Sequence, residues 1–186
     1  MTLRVTIVIG NPKPGSRTRR VAEVLVDKLI DPASSTVEIV ELADYANEIF
    51  SWPSDKLAAL NARVAESDLV VFASPTYKAT YTGLLKAFLD RYPANGLAGV
   101  VTIPVLTGAD ETHSMAPNTN LTPLLLELGS VVPGRGLYFV IKNFENLTKI
   151  VEAHAREYSS NLALLSLISA NTNHHLLQPS NLTPKY

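Results

Sequence analysis

The sequence of 186 residues contains no cysteine, which excludes disulfides, thiolate nucleophiles and cysteine-ligated metals. Its net charge is only −1, so the composition gives no electrostatic reason to expect nucleic acid or an anionic membrane as a partner. No run is apolar for long enough to cross a bilayer, and the first ten residues lack a secretion pattern. These absences lead us to expect a cytoplasmic protein without a membrane partner.

Strand and helix patterns alternate along the chain. The near-continuous apolar run "LRVTIVI" is typical of a central parallel strand, and the following "RTRRVAEVLVDKLI" has helical spacing. Five such strands predict one α/β domain over residues 1–170, with a doubly wound five-stranded parallel sheet of flavodoxin-like order 2-1-3-4-5 and helices on both faces. Pro104 inside the fourth strand predicts a bulge or a locally unpaired position. Residues 171–186 read as a polar C-terminal tail, either loose or an arm in an oligomer.

Three loops of unusual composition follow the first, third and fourth strands. They read "GNPKPGSRT", "SPTYKATYTG" and "TGADETHS". In doubly wound sheets a ligand binds beyond the carboxyl ends of the strands, where the strand order reverses. In the predicted order that point lies between the first and third strands, so we expect the three loops to form one crevice.

The first loop has the features of an anion site. It leads into a helix N-terminus, where free N–H groups and the helix dipole favour negative charge. Ser16 and Thr18 add hydroxyl donors, Arg17 adds a planar cationic group suited to phosphate, and Gly15 lets the backbone come close. The loop matches neither the Walker pattern nor the Gly-x-Gly-x-x-Gly fingerprint. It predicts a site for one phosphate monoester, with a solvated loop capped by Ser16 as the alternative.

The second loop carries no obvious acid, base or nucleophile pair. Pro75 stiffens the turn, and the N–H groups of Thr76 and Tyr77 are placed to face a planar heterocycle. Tyr77 could flank that plane or form a subunit contact, and Lys78 could offset negative charge near it. An ordinary strand-to-helix turn explains the same residues equally well.

Taken together, "GNPKPGSRT", "ASPTYKATYTGLLKAFLD" and "PVLTGADETHSMAPNTNLTPLLLELGSVV" resemble the NADPH-dependent FMN reductases. The nearest likeness is to the small reductases that supply alkanesulfonate-type monooxygenases. It runs from Leu3 to Ile141, and its most specific part is Pro-x-Tyr-Lys-x-x-Tyr-x-Gly-x-Leu-Lys. The resemblance implies a flavodoxin-like homodimer or homotetramer in which FMN takes hydride from NADPH or NADH.

The resemblance also implies which residues bind the flavin, and it implies neither a catalytic nucleophile nor a metal. The phosphate loop would comprise Asn11, Ser16, Arg17 and Thr18; the loop along the ring Pro75, Thr76, Tyr77 and Lys78; and the opposite edge Thr107, Gly108, Ala109 and, just after it, His113.

Three functions remain open at this point. The first is a reductase that supplies reduced FMN to a partner monooxygenase. The second is a reductase that retains FMN and reduces quinones, azo dyes or metal ions. The third is a non-enzymatic electron carrier, which the near-neutral charge disfavours.

One position departs from the family pattern. Where many of the alkanesulfonate-associated reductases carry an extra aromatic residue or histidine that makes a π-bulge in the fourth helix, this sequence has Thr119. We therefore expect a regular α-helix here, and with it a firmer hold on FMN and ping-pong kinetics.

Overall fold

The computed structural model describes residues 2–172. Its five strands form one parallel sheet in the order β2-β1-β3-β4-β5, which confirms the predicted flavodoxin-like topology. The strands are β1 (Leu3–Ile9), β2 (Ser35–Glu41), β3 (Leu69–Pro75), β4 (Val101–Gly108) and β5 (Leu137–Val140). Apart from Asn171 and Thr172, the predicted tail lies outside the described residues.

Five α-helices connect and cover the strands. They are α1 (Arg17–Leu29), α2 (Asp55–Ala65), α3 (Gly83–Leu89), α4 (Thr122–Glu127) and α5 (Leu147–Ala170). Hydroxyl side chains cap the first three: Ser16, Ser54 and Thr82 each accept a hydrogen bond from a first-turn N–H group. Within residues 2–172, no helix combines the length and the apolar character needed to cross a membrane.

The sheet is buried on both sides because successive residues of a strand face opposite ways. In β1, Val5, Ile7 and Ile9 pack with α1 and α5, whereas Val8 packs on the other face with α2, α3 and α4. Each of these β1 side chains is no more than 1% exposed. This double burial explains why the central strands read as continuous apolar runs.

Hydrogen bonds tie the three loops together at the carboxyl edge of the sheet. The Gly10 N–H donates to the Ala73 carbonyl (2.7 Å), and the Thr76 N–H donates to the Thr107 carbonyl (2.7 Å). The Thr82 hydroxyl, which caps α3, also donates to the Gly10 carbonyl (2.5 Å). The loops that follow β1, β3 and β4 are therefore neighbours, as the predicted crevice requires.

Pro104 occupies a regular position of β4, opposite Phe72 of β3. Pairing with β5 begins only at the next residue, where Val105 faces Leu137. The structure has no bulge at Pro104: the proline is in register with β3 and is unpaired only on the side that faces β5. The missing proline N–H therefore costs no hydrogen bond to β5.

The expectation of a regular helix at Thr119 is wrong, because Pro117–Leu121 forms a π-helical turn directly before α4. Its defining bond runs from the Thr122 N–H to the Pro117 carbonyl, five residues back. A regular α-helix would need the N–H of residue 123 for the Thr119 carbonyl, and residue 123 is proline. The wide turn therefore needs no aromatic residue or histidine at position 119.

Candidate functional site

A cavity of about 690 Å³ opens where the three loops meet. This volume lies within the range of small-molecule and cofactor sites. Ten of the twelve predicted site residues line it, and Lys13, Gly15 and Ile141 complete its wall. Lys78 and His113 do not line this cavity. The sequence thus predicted most of the residues that the fold brings together here.

The first loop brings a helix N-terminus to the cavity, and two of its N–H groups have no acceptor among residues 2–172. Gly15 has a φ of +61°, a left-handed conformation that glycine adopts without strain. The Ser16 side chain caps α1 by accepting from the Arg19 N–H (3.3 Å). The N–H groups of Arg17 and Thr18 belong to the first turn, where helix geometry supplies no acceptor. Beside them, the exposed Arg17 guanidinium lies 5.8 Å from the centre of the Phe144 ring.

A buried polar network joins the loops that follow β1 and β4. The Thr18 hydroxyl, on a residue only 2% exposed, shares a 2.8 Å hydrogen bond with the Thr107 hydroxyl. It also accepts from the Asn11 side-chain amide (3.3 Å), whose oxygen in turn accepts from the Lys13 N–H (2.9 Å). Because these hydroxyls are paired with one another in the buried network, the first-turn N–H groups and Arg17 are the donors of this loop that could bind an anion.

The second loop forms a tight turn from Tyr77 to Thr80. The two residues exchange N–H to carbonyl hydrogen bonds of 2.8 and 3.3 Å, while Lys78 and Ala79 have φ values of 52° and 71°. Left-handed conformations at both central residues define a type I′ turn, which normally favours asparagine or glycine. The Asn120 side chain, from the π-helical turn, donates to the Ala79 carbonyl (3.0 Å). The π-helical turn therefore contacts the predicted ring loop directly.

The third loop is shaped by a tyrosine that sequence reasoning missed. A Cβ atom on Gly108 would lie 1.7 Å from the Tyr138 hydroxyl oxygen, so any larger residue at position 108 would displace the tyrosine side chain. The same hydroxyl donates to the Asp110 carbonyl (3.0 Å), and burial raises the pKa of this phenol. Nothing in the sequence around Tyr138 indicated this contact, because it comes from β5 and depends on the register of the sheet.

A second cavity, of about 370 Å³, adjoins the first. Thr76, Gly108 and Ala109 line both, and His113 and Tyr138 line the second. The Thr76 hydroxyl oxygen is buried at this common wall, near the Tyr138 phenol, and makes no hydrogen bond of good geometry within residues 2–172. An unsatisfied buried hydroxyl beside glycine backbone suits the polar edge of a planar ring. The first-turn N–H groups and Arg17 suit a phosphate, so the residues present fit FMN.

Comparison with known proteins agrees with this chemistry. The sequence model of the family described as NADPH-dependent FMN reductase matches residues 3–145. The chain belongs to this family. As a member of the NADPH-dependent FMN reductases it is an oxidoreductase, and its cofactors are FMN and a reduced nicotinamide nucleotide.

Curated relatives and solved structures show the same likeness. The chain is 28% identical to the NADH-dependent FMN reductase SfnF of Pseudomonas putida over 149 residues, covering 77% of this chain and 80% of the relative. It is 28% identical to an FMN reductase (NADPH) of Escherichia coli K12 over 166 residues, covering 86% and 82%. The apo structure of the NADH:FMN oxidoreductase EMOB superposes with a TM-score of 0.76 at 26% identity, over 87% of this chain and 90% of that one.

Proposed function

We propose that this chain transfers hydride from NAD(P)H to FMN bound in the larger cavity and releases reduced FMN to a separate monooxygenase. The flavin would supply the ring nitrogen, N5, that accepts hydride from the nicotinamide. The observation that carries the proposal is that one cavity contains both the N-terminus of α1, which suits a phosphate, and a polar wall formed by Thr76 and Gly108, which suits a flavin ring. The relatives named as FMN reductases support it.

The phosphate end of the site is assigned to the first loop. The N–H groups of Arg17 and Thr18 and the Arg17 guanidinium would hold the phosphate of FMN, with Ser16 shaping the helix start. Asn11 acts here through Thr18, which it fixes by a hydrogen bond. In this assignment Thr18 contributes its backbone donor, while its hydroxyl serves the buried network with Thr107.

The ring end of the site is assigned to the second and third loops. Pro75, Thr76 and Tyr77 would lie along the flavin ring, and the N–H groups of Gly108 and Ala109 would face its pyrimidine edge. There they would stabilise the negative charge that reduction places on that edge. Lys78, which lies in the adjacent turn, would add a positive charge near the ring. These residues act by placement and polarisation, so the site needs no acid or base.

The second cavity is the position that we assign to the nicotinamide. It shares a wall with the larger cavity, so a ring held beside His113 and Tyr138 would lie next to the flavin. His113 would contact the nicotinamide or the flavin edge without moving a proton. The relatives include both NADH-dependent and NADPH-dependent enzymes, so either nucleotide is a candidate donor.

Release of reduced FMN is proposed in preference to its retention. The case for retention rested on a regular helix at Thr119, and the structure has a π-helical turn there. A reductase that keeps FMN and passes electrons to quinones, azo dyes or metal ions is the alternative.

Initial rates of NAD(P)H oxidation at several FMN concentrations separate the two mechanisms. Intersecting lines, with free FMN as a saturable substrate and a colourless purified protein, support release. Parallel lines with a second acceptor, and a yellow protein that keeps its flavin through purification, would show retention. No FMN-dependent oxidation of either nucleotide would refute both.

We also propose a homodimer or homotetramer that works in the cytoplasm. Tyr77, Met115 and Leu126 are each more than half exposed, at 53%, 59% and 55%, which is apolar surface that a subunit contact would cover. Light scattering at micromolar concentration should report a mass at least twice that of the 20.2 kDa chain. A monomer would contradict the proposed assembly.

A further inference from the structure

A buried carboxylate that lies outside the cavity accepts a hydrogen bond from the first loop. Glu41, the last residue of β2, is 8% exposed and does not line either cavity at the carboxyl edge. Its Oε1 atom accepts from the Gly15 N–H (3.0 Å) and from Arg19 Nη1 (2.9 Å). One carboxylate oxygen thus joins the loop backbone to the helix that follows it.

The hydrogen bond from Gly15 to Glu41 lies at the point where the first loop turns into α1. Gly15 is the residue of the loop with a left-handed φ, and it lies two residues before Arg17, whose N–H is in the first turn of α1. A fixed acceptor for the Gly15 N–H therefore sets the direction in which the chain enters α1. A glycine without such an acceptor would sample many more backbone conformations.

The carboxylate of Glu41 can lie near a phosphate site because Arg19 compensates its negative charge. Arg19 pairs with Glu41 and also with Glu23, through Nε to Oε1 at 2.7 Å. Hydrogen bonding to Glu23, and then to Glu41, raises the pKa of this guanidinium. Arg19 thus offsets the charge of Glu41, and its own charge is directed to carboxylates. Arg17 is left as the arginine that lines the cavity.

We propose that Glu41 is a positioning residue for the phosphate of FMN. Together with Arg19 it holds Gly15 in the left-handed conformation that aims the first-turn N–H groups of α1 into the cavity. This inference rests on the proposed FMN site, because it assigns a cause to the geometry of the phosphate end. Glu41 itself touches neither phosphate nor flavin.

Flavin titrations of three variants test the proposal. Glu41→Ala removes the acceptor and should raise the Kd for FMN about tenfold, while the Kd for riboflavin, which has no phosphate, changes less than twofold. Glu41→Gln keeps an oxygen acceptor for the Gly15 N–H and should stay within threefold of the wild-type protein. Glu38→Ala is the matched control: it removes another β2 carboxylate paired with an arginine, Arg63, at 3.1 Å. It should leave both constants unchanged.

A second measurement needs no flavin. In NMR hydrogen exchange on the flavin-free protein, the Gly15 amide should be protected in the wild-type, Glu41→Gln and Glu38→Ala proteins and exchange rapidly in Glu41→Ala. Unchanged protection in Glu41→Ala, or equal losses of FMN and riboflavin affinity, would overturn the positioning role. Glu41→Gln behaving like Glu41→Ala would also overturn it, because charge would then be the cause. Wild-type protein that binds FMN no more tightly than riboflavin would instead refute the phosphate site itself, and the positioning role with it.

Discussion

Replacing Arg17 with alanine tests the orientation of the flavin in the cavity. A charge-assisted hydrogen bond to phosphate is worth about 1.5–3 kcal/mol, which corresponds to roughly 10-fold to 150-fold in affinity. Arg17 is exposed, so water screens its charge and the lower end of that range applies. Its contact with the Phe144 ring, 5.8 Å away, helps to keep the guanidinium at the cavity mouth. We therefore expect the Kd for FMN to rise about tenfold in Arg17→Ala.

The assay is a fluorescence titration of flavin-free protein with FMN and, in parallel, with riboflavin. Riboflavin affinity should change little, because riboflavin has no phosphate for Arg17 to bind. The tenfold difference for FMN should shrink as salt is added, since screening weakens an exposed charge. Arg20→Ala is the control, because Arg20 lies on the same helix, is 62% exposed, pairs with Glu23 and does not line the cavity. Equal losses for FMN and riboflavin would refute the assignment of the phosphate end.

Three further predictions concern the other loops and the stability of the fold. Gly108→Ala would place a methyl group 1.7 Å from the Tyr138 hydroxyl oxygen, so we expect FMN-dependent NAD(P)H oxidation to fall more than tenfold; unchanged activity would contradict the role of this contact. Ala79→Gly relieves a left-handed φ of 71° and should raise the Tm by a few degrees, whereas Asn120→Ala removes the donor to the Ala79 carbonyl and should lower it, both by calorimetry. Burial lowers the pKa of His154 in the folded protein. Below about pH 6.5 the unfolded chain therefore binds the proton more readily than the folded one, and the free energy of unfolding decreases as the pH falls. The drop in Tm between pH 7.5 and pH 5.5 should be smaller in His154→Gln than in the wild-type protein.

The sheet and most of the cavity could be predicted because they depend on local patterns. Apolar runs such as Leu3–Ile9 mark strands that are buried on both faces, and alternation with helices restricts the topology to a doubly wound sheet. That topology alone brings the loops after β1, β3 and β4 together. Loop composition indicated the residues around Arg17 and Tyr77, and the family resemblance supplied the others; ten of the twelve line one cavity.

The contacts between loops could not be predicted, because they depend on packing across the sheet. Tyr138 reaches Gly108 only through the pairing of β4 with β5, and Glu41 reaches Gly15 only because β2 lies beside β1. Neither pair is close in sequence or belongs to a motif. Gly108, at the end of β4, has no positive φ that would require glycine, and its contact with the Tyr138 side chain is visible only in the structure.

The π-helical turn shows how a residue-type argument can fail. The prediction asked which residue stands at position 119, but the turn depends on which hydrogen bonds are available around it. Pro123 denies the Thr119 carbonyl its α-helical donor, and Asn118 accepts from the Gly136 N–H (2.9 Å). Asn120, on the same wide turn, holds the Ala79 carbonyl. Asn118 thus contacts the residue before β5, and Asn120 contacts the second loop. A change in the conformation of the turn would therefore move the second loop, which we assign to the flavin ring. The turn therefore belongs with the site in any account of how tightly this chain holds FMN.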